Sequence, residues 1–197
     1  VDLDGSYDIG CVIKVENIIE LDNFFEKIYA QFNKYQNSYV ISTNLWGEYL
    51  PRDYLVNSPR GYKREVSYSA EIKPYKIIDK EIGIIKSLTE NSRISSVEIA
   101  NKLKISVDTV IQHIHKLEKD GIITRYSLVL NNHKIDQIHY KVLIYLSDFS
   151  TERVKGLLAL CRNENRIVYI IKSLGNWNYE LDIEVENTKQ LREIMMK

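Results

Sequence analysis

Residues 95–126, SSVEIANKLKISVDTVIQHIHKLEKDGIITRY, limit the possible folds more than any other stretch of the chain. Ser95 stands where it can cap a helix, and Glu98 three residues on can reach back to complete a capping box. Val97, Ile99, Ala100 and Leu103 supply the apolar face of that helix, and Ala100 is small enough to let another helix cross closely. Lys104-Ile105 turn the chain, and Ser106 caps a second helix. On it Val107, Val110, Ile114 and Leu117 recur as one buried stripe. The opposite face, Asp108, Thr109, Gln112, His113 and Lys116, is polar throughout. Gly121 is placed as the C′ residue, and Ile122 to Leu130 reads as the strand of a wing. A helix fixed by one stripe while a short polar face projects outward suits the major groove of double-stranded DNA.

The side chains on that face carry distinct expectations. Gln112 can pair bidentately with adenine, and Thr109 can meet a thymine methyl or a phosphate. Asp108 can accept from a cytosine amine or favour the helix N-terminus. Lys116 and Arg125 suit phosphates. Ser95, Ser106 and His113 complete the expected DNA-facing set. His113 and His115 diverge by about 200° on a helix, so they cannot share a metal ion. Lys plus Arg balances Asp plus Glu at 27 each, so no global basic field drives binding to nucleic acid. Positive charge gathers locally, at Arg52, Arg60, Lys63, Arg64, Lys73 and Lys76. Cys11 and Cys161 lie too far apart for a metal motif, and both read as small core residues. There is no signal peptide and no apolar run of membrane-spanning length, which makes a reducing, cytoplasmic setting the default. No nucleophile–base set, phosphate loop or carboxylate pair is legible, so neither an enzyme nor a cofactor is expected.

A second feature is a repeat. Residues 5–17, GSYDIGCVIKVEN, match residues 175–187, GNWNYELDIEVEN, in Gly, Ile, Val, Glu and Asn at equivalent places. The register continues into the following helices, where Leu21 answers to Leu191 and Phe24 to Ile194. Each copy reads as a glycine turn, an alternating strand and an amphipathic helix. The first copy runs through Phe32 to a strand at Tyr39–Ser42, with Trp46 and Tyr49 beyond it as sheet-face packing. The second is preceded by a strand at 140–146, a helix at 151–160 and a strand at 167–173. Spliced together, the pieces define a ferredoxin-like β-α-β-β-α-β unit. The expected domains are therefore 1–56, the later part of a first such unit; 57–75, a linker; 76–130, the winged helix-turn-helix; and 131–197, a second, truncated unit. The fold class is α+β.

Together these residues resemble the Lrp/AsnC (feast/famine) transcriptional regulators over about residues 76–197. Ile78-Asp79 and Ile82 resemble the opening of the family's first helix, and Asn91 to Ser95 its link to the second. Ser106, Thr109-Val110, Leu117-Glu118, Gly121-Ile122 and Tyr126 resemble its recognition helix and wing. Gly175-Asn176-Trp177-Asn178-Tyr179 resembles the family's Gly-x-aromatic-Asp hairpin, with Asn178 where the acid is usual and Asp8 keeping it in the first copy. The resemblance implies regulatory units that pair into homo-oligomers. It also implies a small effector, such as an amino acid, near the glycine hairpins: Gly5, Tyr7 and Asp8 in one copy, Gly175, Trp177 and Asn178 in the other. Two alternatives stay open. One is a metabolite-sensing or assembly protein that no longer binds DNA. The other is an enzyme on the same scaffold, as in siroheme decarboxylases, which would need histidines such as His133 or His139 to converge on a cleft.

Overall fold

Helix α1 (Ile18–Phe32) forms where the repeat places it, and its cap satisfies two backbone donors at once. The Asn17 side chain accepts from the Glu20 amide at 3.0 Å, while the Glu20 carboxylate accepts from the Glu16 amide at 2.7 Å. The computed structural model describes residues 5–35, 38–56, 65–69, 74–127 and 129–197, and the chain divides into two compact units, Val1–Val40 and Ile41–Lys197. In the first unit Phe25, Tyr29 and Tyr39 gather their rings, with centroids 5.3–6.1 Å apart. The strand expected before α1 is not formed. Residues 10–15 are irregular after an isolated bridge at Ile9, and none of the unit's described residues is buried. A strand persists only where a ladder takes up its amides and carbonyls, and this run has none among the described residues. Cys11 is consequently exposed and not a core thiol.

In the second unit, residues up to Ile41 are irregular and strand β1 (Ser42–Tyr49) follows, later than the expected Tyr39–Ser42. Within residues 57–75, read from sequence as a linker, Glu65–Ser69 forms β2 and pairs with β1. Of the local basic cluster, Arg60, Lys63, Arg64 and Lys73 lie outside the described residues. Three helices come next: α2 (Asp79–Glu90), α3 (Ser96–Leu103) and α4 (Val107–Lys119). They are followed by β3 (Ile138–Ile144), α5 (Thr151–Asn163), β4 (Ile167–Gly175), β5 (Tyr179–Val185) and α6 (Thr188–Met195). The strands make one antiparallel sheet in the order β2-β1-β4-β5-β3.

Alternation in β5 sorts the sheet into two faces. Tyr179, Leu181, Ile183 and Val185 are buried against α5 and α6, where Val154, Leu157, Cys161, Leu191 and Ile194 complete the core. Glu180, Asp182 and Glu184 point to the other face. Helix α6 is capped as α1 is: Asn187 accepts from the Gln190 amide at 3.0 Å and Gln190 from the Glu186 amide at 3.0 Å. The repeat thus persists at the level of single hydrogen bonds.

Two features hold β1 against β4. Gly175 has φ 138°, and a Cβ there would lie 2.9 Å from the Ile41 carbonyl oxygen, so only glycine lets the strands approach this closely. On the core side, the buried Glu48 carboxylate accepts two bonds of 2.9 Å from the Arg162 guanidinium of α5. Trp46 packs edge-on to Tyr179 at 6.3 Å. No helix among the described residues is long and apolar enough to cross a membrane.

Candidate nucleic-acid interface

Helices α2, α3 and α4 close around Ile84, Ile99, Ala100 and Val110, all buried. Val97, assigned to the apolar face by spacing, is instead 54% exposed. Ser95 and Glu98 form the expected capping box: Ser95 Oγ accepts from the Glu98 amide at 3.2 Å and donates to Glu98 Oε2 at 2.7 Å, which also accepts from the Ser95 amide. The turn between α3 and α4 requires Lys104 in the left-handed region at φ 55°. Ser106 then caps α4, accepting from the Thr109 amide at 3.2 Å and pairing with the Thr109 hydroxyl at 2.8 Å. Both hydroxyls therefore organise the helix start. Gly121, at φ 71°, ends the helix, and the Ile122 and Ile123 amides fold back onto the Leu117 carbonyl. Beyond it, residues 122–130 form no strand among those described, because no ladder partner runs beside them.

The polar face of α4 divides in two. Asp108 and Gln112 project into solvent as expected. His113 and Lys116 do not simply project. His113 Nδ1 lies 3.2 Å and Lys116 Nζ 2.9 Å from Oε1 of Glu81, a fully buried acid in the first turn of α2. The same oxygen accepts from the Tyr75 hydroxyl at 3.0 Å, and Oε2 accepts from the Ile78 amide. Burial alone would raise the Glu81 carboxyl; the bonds from Lys116, Ile78, Tyr75 and His113 outweigh it and hold the group at about 2. The bond with Tyr75, and then that with Glu81, holds the Lys116 ammonium above its usual range. This buried acid fixes α4 across α2. It was missed in the sequence because Glu81 looks like any charge in a helix's first turn. The signal lay in spacing: residue 113 is three after Val110 and four before Leu117, on the edge of the buried stripe. The true outward stripe is Asp108, Ile111, Gln112, His115 and Lys119, every one of them exposed.

Arg125, expected on phosphate, lies with its guanidinium 3.7 Å over the Tyr49 ring, which stacks on Tyr169 at 4.1 Å. The segment leaving α4 is thereby laid on the sheet face opposite α5 and α6. A cleft of about 220 Å³ opens there, lined by residues that include Tyr49, Arg52, Arg125, Asn132, His139 and Glu184. His139 is in β3, where its ring lies 3.7 Å from Asp182 and 3.9 Å from Glu184. His133 is exposed and does not line the cleft. No cluster among the described residues could hold a metal ion.

At the second glycine hairpin, the side chains expected on an effector are engaged within the fold. Asn178 Oδ1 accepts from the Leu146 amide at 2.7 Å, and Trp177 Nε1 donates to Glu180 at 2.9 Å. The hairpin is thus tied to the end of β3, a role that suits Asn at this position. In the first copy Gly5 has φ 153° and is exposed, as is Asp8, while Tyr7 is half-buried.

A family model described as winged helix-turn-helix DNA-binding matches residues 79–124. An uncharacterized HTH-type transcriptional regulator of Pyrococcus abyssi is 43% identical over 115 residues, 58% of this chain and 75% of that protein. The HTH-type transcriptional regulator LrpC of Bacillus subtilis is 26% identical over 118 residues, 59% of this chain and 80% of its own. The solved LrpC structure superposes with a TM-score of 0.53 over 62% of this chain and 86% of that one, at 24% identity. A Neisseria meningitidis transcriptional regulator solved as an L-Met complex superposes with a TM-score of 0.54 at 17% identity, over 62% of this chain and 79% of that one.

Proposed function

The chain belongs to the Lrp/AsnC family of transcriptional regulators, and from that premise we propose that α4 reads the major groove through the stripe Asp108, Ile111, Gln112, His115 and Lys119. The observation that carries this is the buried Glu81 clamp, which draws His113 and Lys116 aside and leaves that stripe outermost. Gln112 is the side chain suited to bidentate pairing with adenine, and Ile111 to contact with a thymine methyl. Lys119 and Lys104, both exposed, serve as phosphate contacts in place of Arg125. Ser95, Ser106 and Thr109 shape the helix starts that approach the backbone.

The elements β3-α5-β4-β5-α6, with β5 lying between β4 and β3, support a ferredoxin-like regulatory unit. The matching caps of α1 and α6 support a duplicated unit that begins before α1. Pairing of such units into oligomers and modulation by a small effector follow from the family reading, as does a role in regulation and not in catalysis. A decarboxylase-like reading would need histidines to converge on the cleft, and His139 is the histidine among the described residues that lines it.

The test is binding to a set of duplexes by wild type and Gln112→Ala over a range of salt. Loss of preference at one base pair, at about 1–3 kcal/mol, is expected. Equal weakening on all sequences would assign Gln112 to the backbone, and no binding at low salt would remove the reading.

A further inference from the structure

Arg125 travels with α4. The Ile122 and Ile123 amides donate to the Leu117 carbonyl at 2.8 and 3.0 Å, and the Tyr126 hydroxyl donates to Glu118 Oε1 at 2.9 Å. The residues on both sides of Arg125 are thereby tied to the last turns of the helix. Its guanidinium lies over the Tyr49 ring, and that ring lies over Tyr169, directly opposite on β4, with the two planes 16° from parallel. The Tyr49 ring is a fixed platform because the chain is pinned on either side of it. One residue before, Glu48 accepts two bonds from Arg162 of α5; three residues after, Arg52 donates two to Glu184 of β5. Each is a two-pronged pair on a buried carboxylate, which fixes direction as well as distance. Farther along, the chain is anchored again at Asn132, whose Nδ2 donates to Glu184 Oε1 at 3.0 Å.

We propose that Tyr49 is a positioning residue for DNA reading: its ring holds Arg125, and through it α4, at one orientation to the sheet. The role in DNA reading rests on the chain being a DNA-binding regulator; the hold on α4 does not. Tether length carries the argument. From Gly121 to Arg125 is four residues, a reach of at most about 14 Å, whereas from Gly121 to Asn132 is eleven, at most about 40 Å. Releasing the stack therefore lets α4 tilt and swing, while every bond inside α2, α3 and α4 is kept. A guanidinium is drawn to the negative face of a ring and gains most when it lies flat on it, so the contact resists both sliding and turning. An aliphatic side chain in place of Tyr49 offers no such attraction, and the ring hydroxyl is not needed for it. A single recognition helix reads its half-site at any angle to the sheet behind it. Two helices carried by paired sheets meet two half-sites only at the spacing that the hold dictates. Tyr49 lies outside residues 76–197, the stretch that resembles the regulator family, so the platform comes from the part of this chain which that resemblance does not cover.

The test uses the 197-residue chain in weakly aligned solution, as wild type, Tyr49→Phe, Tyr49→Leu and Arg125→Ala. Backbone N–H residual dipolar couplings are measured for α2, α3 and α4 and for β3, β4 and β5. One alignment should fit helices and sheet together in wild type and in Tyr49→Phe. In Tyr49→Leu and Arg125→Ala the helices should need an alignment of their own, while the couplings within each group still fit its own geometry. Arg125→Ala leaves β1 untouched, so it decides the matter if Tyr49→Leu fails to fold. The same chains are then titrated with duplexes carrying one or two copies of a site that wild type selects from random DNA. Single-site affinity and its salt slope should be equal in all four. The preference for one spacing of the doubled site should fall about tenfold in the two variants without the stack. Separate alignments in wild type, or one shared alignment in Arg125→Ala, overturn the proposal, as does a Tyr49→Phe chain as loose as Tyr49→Leu. A salt slope lowered in Arg125→Ala also overturns it, by returning Arg125 to a phosphate. Separate alignments with an unchanged spacing preference uphold the hold on α4 and overturn its role in reading DNA. A wild type that selects no DNA removes the regulator reading, and the couplings alone then decide the hold.

Discussion

Replacing Lys116 with Ala separates the two roles open to this side chain. Nζ lies 2.9 Å from a fully buried carboxylate oxygen of Glu81, and the lysine side chain is itself 53% exposed. A hydrogen bond to a charged group is stronger than a neutral one, and solvent screening of the exposed lysine keeps the loss small. Glu81 keeps Tyr75, His113 and the Ile78 amide, so the helices remain folded and the urea midpoint falls without a change in slope. The acid limb changes as well. Glu81 is held at about 2, below its ordinary 4.5, so its contribution is complete above pH 4.5 and is lost as pH falls toward 2. Without Lys116 the folded value rises, less stability depends on this window, and the variant's loss on acidification is smaller. DNA binding gives the decisive contrast. A side chain held by Glu81 leaves the slope of log affinity against log salt unchanged, whereas a phosphate anchor reduces it by about 0.9. A slope reduced by that amount, with an unaltered urea midpoint, would refute the clamp.

Gly121→Ala should cost about 1 kcal/mol, for its added methyl meets nothing within 4 Å and only the φ of 71° resists it. Gly175→Ala should cost more, about 2–3 kcal/mol, because its Cβ would also press on the Ile41 carbonyl; equal losses in urea unfolding would show that β1 does not approach so closely. Glu184, held at about 2 by Arg52, Tyr54 and Asn132 against the opposing effect of burial, should contribute stability above pH 4.5 that disappears toward pH 2. His139 has the opposite sign: its folded value is raised, so its contribution is present below pH 6.5 and lost as pH rises through the folded value. A His139→Gln chain whose stability rises and falls with pH as wild type does would exclude that histidine.

The helix-turn-helix was legible because each of its boundaries rests on a local device. Ser95 with Glu98, Ser106 with Thr109, and Gly121 at positive φ act within a few residues, and sequence spacing displays them directly. The repeat was legible for the same reason, since the Asn17 and Asn187 caps are local. What escaped was set by distant partners. Nothing near Glu81 says that Lys116 will reach it from α4, and nothing near Arg125 says that Tyr49 will lie beneath it. Residues 10–15 alternate as well as β5 does, yet alternation makes a strand only beside another strand; β5 has β3 and β4, and the first copy has no such neighbours among its described residues. Within the candidate site, Asp108 and Gln112 came from helical spacing, while Ile111, His115 and Lys119 needed the buried side of α4 to be fixed first.

Strand β1 joins the sheet by pairing with β4, whose residues follow it in the chain by roughly 120 positions. During synthesis at about 5–20 residues per second, β1 leaves the ribosome some 6–24 s before its partner does. Helices α2, α3 and α4, which lie between them, make mainly local contacts and can close in far less time than that. Throughout the interval the edge of β1 that β4 will cover carries unpaired amides even with β2 on its other edge, and together with Trp46 and Tyr49 that edge recruits strands of other chains. Crowded nascent chains should therefore aggregate through residues 42–49 and not through the helix-turn-helix, and slowing translation between β1 and β4 should worsen it.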